Sequence, residues 1–143
     1  MRRIEKNLDR VLDANFNRAK EGLRVCEDVC RFFLNQPRST ARYKSLRHRL
    51  TDVLGSLKIR ELLKSRDIEG DVGRVNLPRE MRRRDMEDIF FANSQRVKES
   101  LRVLEEFLKI KNVRWAGSLK ELRYEAYDLE KTVAAKFKAV SRS

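Results

Sequence analysis

Proline and glycine are scarce, at two and five in 143 residues. So few breakers leave little room for the turns of a loop-rich β fold. Cysteine is nearly missing as well, with only Cys26 and Cys30. These two lie four apart on one predicted helix face, where a link would constrain little. Core packing is their expected role. The single histidine, His48, excludes a histidine-rich metal cluster and is expected at the surface or edge of a helix. Neither a Walker A sequence nor a G-x-G-x-x-G fingerprint occurs. No apolar run is long enough to cross a membrane, and none follows Met1 as a signal-peptide core. The expected location is therefore cytoplasmic.

What is abundant is charge. Charged residues make up 39% of the chain and hydrophobic residues 41%. Strong helix formers dominate, which points to an all-α protein, and the length suits one domain, residues 1–143. The net charge of +12 favours anionic partners. A small basic nucleic-acid-binding protein is one rival reading. Against it, aromatic residues do not interleave with the basic run Arg82, Arg83 and Arg84, and no nucleic-acid-binding signature is present.

The most informative stretch is 14–28, ANFNRAKEGLRVCED, which returns at 92–106 as ANSQRVKESLRVLEE. Nine of fifteen positions are identical at a constant offset of 78, the mark of an internal duplication. On a helical wheel, Asn15, Gly22 and Arg18 fall at about 0°, −20° and −60°, within the arc of Ala19, Leu23 and Cys26. Asn93, Arg96 and Ser100 repeat the pattern among Val97, Leu101 and Leu104. An inward Asn or Arg needs partners, because a buried unpaired charge is costly.

The apolar periodicity predicts helices over about 4–34, 40–64, 85–110 and 118–139. Asn35, Gln36 and Pro37 should stop the first. Asp85 is an expected N-cap, and Ser118 with Glu121 has the spacing of a capping box. Trp115 and Phe137 read as packing residues. Helical pattern is lost over 65–84, where Gly70, Gly73, Asn76 and Pro78 punctuate the chain. A second match, YKSLR at 43–47 with LKELR at 119–123, carries the duplication into the partner helices at an offset of 76. The expected architecture is a four-helix bundle of two duplicated hairpins, about 4–64 and 85–139, related by a pseudo-twofold axis.

Sites in such bundles are built from inward side chains on facing helices. The candidates are Asn15, Arg18, Glu21, Gly22 and Arg47 from one half, with Asn93, Arg96, Glu99 and Arg123 from the other. Arginine forks match phosphate or carboxylate oxygens, and asparagine offers donors and an acceptor to a ring edge. Together they suit a phosphorylated heterocycle. Asp67 and Asp71 on the long connection are candidates to approach from above, as Mg²⁺ ligands or proton acceptors. The plain alternatives are that Glu21 and Glu99 neutralise Arg18 and Arg96, and that the aspartates only cap backbone amides.

Residues 13–28 (DANFNRAKEGLRVCED), 46–48 (LRH), 66–73 (RDIEGDVG), 92–106 and 122–130 (LRYEAYDLE) together resemble a known family. It is the helical domain found N-terminal to bacterial thiamine-phosphate synthase, linked to hydroxymethylpyrimidine phosphate kinase activity. The resemblance implies a role in thiamine biosynthesis, with Mg²⁺ and ATP as cofactors. It implies a site made of the repeated Asn, Arg and Glu residues and the loop at 71–73. Asp71 and Asp67 would be catalytic, with Asp71 the metal ligand. Partners would be the phosphorylated small molecule, and a thiamine-phosphate synthase or a second copy of the chain. The synthase's (β/α)₈ barrel is absent from these 143 residues, so thiamine phosphate synthesis by this chain alone is not expected. A non-catalytic accessory domain of that synthase is the nearest rival.

Overall fold

The computed structural model describes residues 2–55, 57–75 and 81–142, and among them every regular element is helical. The order is α1 (Arg2–Asp28), a π-helical turn (Val29–Phe33), α2 (Pro37–Gly55), α3 (Ile59–Ser65), α4 (Met86–Lys111) and α5 (Val113–Arg142). Asn76 and Pro78, expected as loop breakers, lie outside the described residues.

The all-α expectation holds, with two differences at element ends. The stretch expected as one helix over 40–64 is two. α2 stops at Gly55, Leu57 turns inward with its amide bonded to the Leu54 carbonyl at 2.8 Å, and Lys58 is extended ahead of α3. Glycine weakens a helix interior, and burying Leu57 redirects the chain. As a result α3 lies against α1, with Leu62 and Ser65 buried. The last helix starts at Val113, not near Ser118. Asn112 alone makes the link, its Oδ1 accepting from the amides of Arg114 at 2.9 Å and Trp115 at 3.3 Å. Ser118 is inside the helix and donates to the Arg114 carbonyl instead of capping.

Other ends follow the residues expected. The π turn carries a bond from the Leu34 amide to the Val29 carbonyl at 3.0 Å, and Asn35 then takes φ 52°, a left-handed value that asparagine tolerates. Pro37 opens α2, where its missing N–H costs nothing. Asp85 caps α4, accepting from the Asp88 amide at 2.8 Å.

α1 packs on α2 and α4, and α5 packs on α4 and α2. α1 and α4 run antiparallel. Asp9 meets Lys111 at 2.7 Å, while a Cβ on Gly22 would stand 2.8 Å from Val97 Cγ2 and 3.1 Å from the Asn93 carbonyl. Glycine at 22 is what permits this approach. The core joins Leu12, Leu23, Leu50, Leu101, Leu104 and Leu129, closed at one end by Phe90 against Phe137 at 5.6 Å. Phe137 is thus a core residue, Trp115 packs partly buried against the core, and His48 is exposed on α2.

Cys26 and Cys30 are free and buried, as expected of packing residues. Burial raises both thiols above their ordinary range, and the nearby Glu27 charge helps push Cys30 to about 12. The thiolate is the reactive form. Native protein at pH 8 should therefore resist iodoacetamide for hours, while denatured protein takes up two labels. Intact-mass measurement reads the difference, and rapid labelling of the native chain would contradict this packing.

Candidate functional site

Two pockets share a wall on α1. The central one lies between α1 and α4, is about 480 Å³ in volume, and is lined by both copies of the repeated motif. Asn15, Arg18, Glu21 and Gly22 meet Asn93, Arg96 and Glu99 there. Seven of the residues expected from the sequence thus share one cleft.

Their states differ from a purely inward reading. Asn15 is buried, and its Nδ2 donates to the Val11 carbonyl at 2.9 Å. Asn93 does the same to the Ile89 carbonyl at 2.8 Å. Each amide is fixed by its own helix, and no described residue donates to either Oδ1. Arg18 and Arg96 are exposed, not buried in the apolar arc. Their long stems carry the charge from the edge of the arc to the lip of the cleft. Neither pairs with Glu21 or Glu99, and neither has a partner among the described residues. Glu99 accepts instead from Gln95 at 3.0 Å. The self-neutralised network is not formed. Two guanidinium groups and two asparagine oxygens remain available across one cleft.

Arg47 and Arg123 are not brought to the cleft. Arg47 donates to Glu27 at 3.0 and 3.4 Å, and Arg123 to Glu105 at 3.3 and 3.2 Å. Arg123 also reaches the Tyr127 hydroxyl at 3.3 Å. Burial alone would lower the Arg123 pKa, but the bonds to Tyr127 and Glu105 outweigh it and raise it above the ordinary value. Sequence reasoning missed Glu27 and Glu105 as partners. The available signal was that both belong to the nine repeated positions, and so does each Arg to the second repeat.

The second pocket, about 570 Å³, opens between α1 and the chain leaving α3. Asn15 and Arg18 form the shared wall, with Arg10 beside them and Arg66, Asp67 and Asp71 opposite. Arg66 holds this chain against α1 by donating from Nε and Nη2 to Asp13, both at 2.8 Å. Asp13 is buried and also accepts from Asn17 at 3.3 Å. The hydrogen bonds donated to Asp13, then its charge, lift the Arg66 pKa above the ordinary arginine value, with Glu21 adding a smaller pull. Asp67 Oδ1 accepts from the Gly70 amide and Asp71 Oδ1 from the Gly73 amide, each at 2.9 Å. The aspartates therefore do shape the turn, as the plain alternative holds, yet both also line the pocket. The carboxylate that orients an arginine here is Asp13. Asp13 and Arg66 were not legible as a pair while α3 was read as part of α2.

The profile of the ThiD2 family matches residues 10–132, which include the whole lining of the central cleft and all of the second pocket's lining but Asn7. The chain belongs to the ThiD2 family. Relatives carry the same segment in longer proteins. The thiamine-phosphate synthase of Nostoc punctiforme is 39% identical over 128 residues, covering 89% of this chain and 35% of that protein. That of Rhodopirellula baltica is 40% identical over 119 residues, covering 82% and 32%. This ThiD2 chain thus spans about a third of the length of the curated relatives it matches. No solved structure matches it. No described helix is long and apolar enough to cross a membrane.

Proposed function

We propose that this ThiD2 chain binds hydroxymethylpyrimidine phosphate in the central cleft and transfers a second phosphoryl group to it. The observation that carries the reading is that Arg18 and Arg96, without partners among the described residues, line one cleft with Asn15 and Asn93. In this reading the two halves are duplicated hairpins of a four-helix bundle, and the cleft lies on their pseudo-twofold axis. The arginines hold the ester phosphate, and Asn15 and Asn93 accept from the ring amine. Membership of a family tied to thiamine-phosphate synthases supports a thiamine precursor as the ligand.

The transfer balances without a strong base. The bond between the donor's terminal phosphorus and its bridging oxygen breaks, and the electron pair leaves with the nucleoside diphosphate. A new phosphorus–oxygen bond forms from an oxygen of the acceptor's monoester. That monoester loses its second proton near pH ~6, so at neutral pH it has none to surrender. Asp71 is then better cast as a metal ligand than as a proton acceptor. The residues fit Mg²⁺ in a limited way. No group of three or more acid, histidine or cysteine side chains gathers for a metal among the described residues. Asp67 and Asp71 each retain Oδ2 after capping an amide. Mg²⁺ is commonly held by one or two carboxylates together with phosphate oxygens and water, and Asp71 and Asp67 would supply the protein's share. When bound, the ion would neutralise charge on the phosphates. Arg18 and Arg96 position the acceptor, and the helix pair shields its ring face from water.

The test is to mix the protein with hydroxymethylpyrimidine phosphate, ATP and Mg²⁺ and to look for the diphosphate by phosphorus NMR. Product formation is expected. Saturable binding without turnover would favour a non-catalytic accessory domain, a reading suggested by the longer relatives. No binding at all would overturn the assignment.

A further inference from the structure

We infer that the pocket between α1 and the Arg66–Asp71 turn is a polyphosphate subsite for the Mg²⁺–nucleoside triphosphate donor, and that the fold provides one such subsite per chain. This rests on the proposed transfer, because a donor must sit beside the acceptor. The central cleft is nearly symmetric in its lining, with Asn15, Arg18 and Glu21 set against Asn93, Arg96 and Glu99. Symmetry alone would offer two equivalent approaches for a donor. The surroundings remove one of them. The first half breaks after α2 into α3, while the corresponding α5 continues unbroken from Val113 to Arg142. Asp13, the anchor for the turn, corresponds at the repeat offset of 78 to Phe91, which cannot accept a guanidinium fork.

Among the described residues, the anchored turn that closes the second pocket belongs to the first half. Both pockets carry arginines and carboxylates, but in the central cleft each helix bears one of each, whereas here, apart from the Arg66–Asp13 pair, the two signs stand on opposite walls. Arg10 and Arg18 present positive charge on α1, and the Asp67 and Asp71 carboxylates stand opposite. A bare anion gains from the arginines but is repelled by the aspartates. A cation alone meets the reverse. A polyphosphate carrying Mg²⁺ satisfies both, with phosphate oxygens on the arginines and the metal toward the carboxylates. Arg18 lines both pockets, which places one fork between donor and acceptor, where charge spreads during transfer. Arg66 is a positioning residue here. Its two bonds to Asp13 hold the aspartate-bearing turn in place.

Isothermal titration with Mg²⁺–ADP alone, and separately with hydroxymethylpyrimidine phosphate alone, tests this on the full chain. Asp71→Asn should weaken Mg²⁺–ADP binding tenfold or more and leave pyrimidine phosphate binding within twofold. Asn93→Ala should do the converse. Arg66→Met should raise KM for the nucleotide, with little change in KM for the acceptor, and Arg66→Lys should restore part of the loss. Thermal melts confirm that each variant folds. Mg²⁺–ADP binding that is absent, or indifferent to Asp71→Asn, overturns the subsite even where the pyrimidine phosphate binds. Mg²⁺–ADP binding that responds to Asp71→Asn supports it even where the pyrimidine phosphate fails to bind, and that failure falls on the acceptor assignment alone.

Discussion

Replacing Glu105 by alanine is expected to cost about 3–5 kcal/mol, because it strands a buried guanidinium. Glu105 receives Arg123, and the two side chains are only 5% and 10% exposed. Arg102 donates to the same carboxylate from outside at 2.9 Å, but its side chain is 54% exposed and loses little when that carboxylate is removed. For a chain of this size each kcal/mol moves the melting temperature by about 3 °C, so a fall of roughly 10–15 °C is expected. The corresponding Glu27→Ala should cost less. Its partner Arg47 is 18% exposed and can turn to solvent. The double variant Glu105→Leu with Arg123→Met should recover most of the loss, because removing both charges ends the desolvation penalty. Calorimetry on the single and double variants checks the ranking. If the double is as unstable as the single, buried charge is not the cause.

These pairs mark how far the sequence could be read. The repeat put Asn15 and Gly22 on one face of α1 and Asn93 on the matching face of α4, and periodicity is enough for that, since residues of one face stay together wherever the helix packs. The fate of the arginines needed more. Wheel angle places a Cα, not the end of a long side chain, and Arg18 and Arg96 extend from the edge of the apolar arc to water. Arg47 and Arg123 were recognised as repeated, but their partners depend on how α2 crosses α1 and α5 crosses α4, which no single-helix pattern contains. The Asp13–Arg66 pair depends on the break after Gly55. Leucines at 54, 57 and 62 continue a helical rhythm through that break, so periodicity alone conceals it. The connection was legible as a turn through its glycines and aspartates, and what fixes it to α1 was not.

Arg18→Ala and Arg96→Ala are expected to separate binding from stability. Both side chains are exposed and have no partner among the described residues, so removing either should leave stability within about 0.5 kcal/mol. A hydrogen bond to a charged group contributes about 1.5–3 kcal/mol, which is roughly 10- to 150-fold in affinity for the pyrimidine phosphate. Arg18→Lys and Arg96→Lys should fall between, because lysine keeps the charge but not the planar fork. The two positions should not be equal in turnover. Arg96 lines the central cleft alone, whereas Arg18 lines both pockets. Arg96→Ala should thus raise KM for the acceptor and spare the nucleotide, while Arg18→Ala should impair both and lower kcat further. Titration calorimetry with steady-state kinetics on the four variants gives the comparison. Unchanged affinity in both alanine variants would remove the arginines from ligand binding. A large fall in melting temperature with affinity retained would instead return them to a structural part, which their exposure argues against.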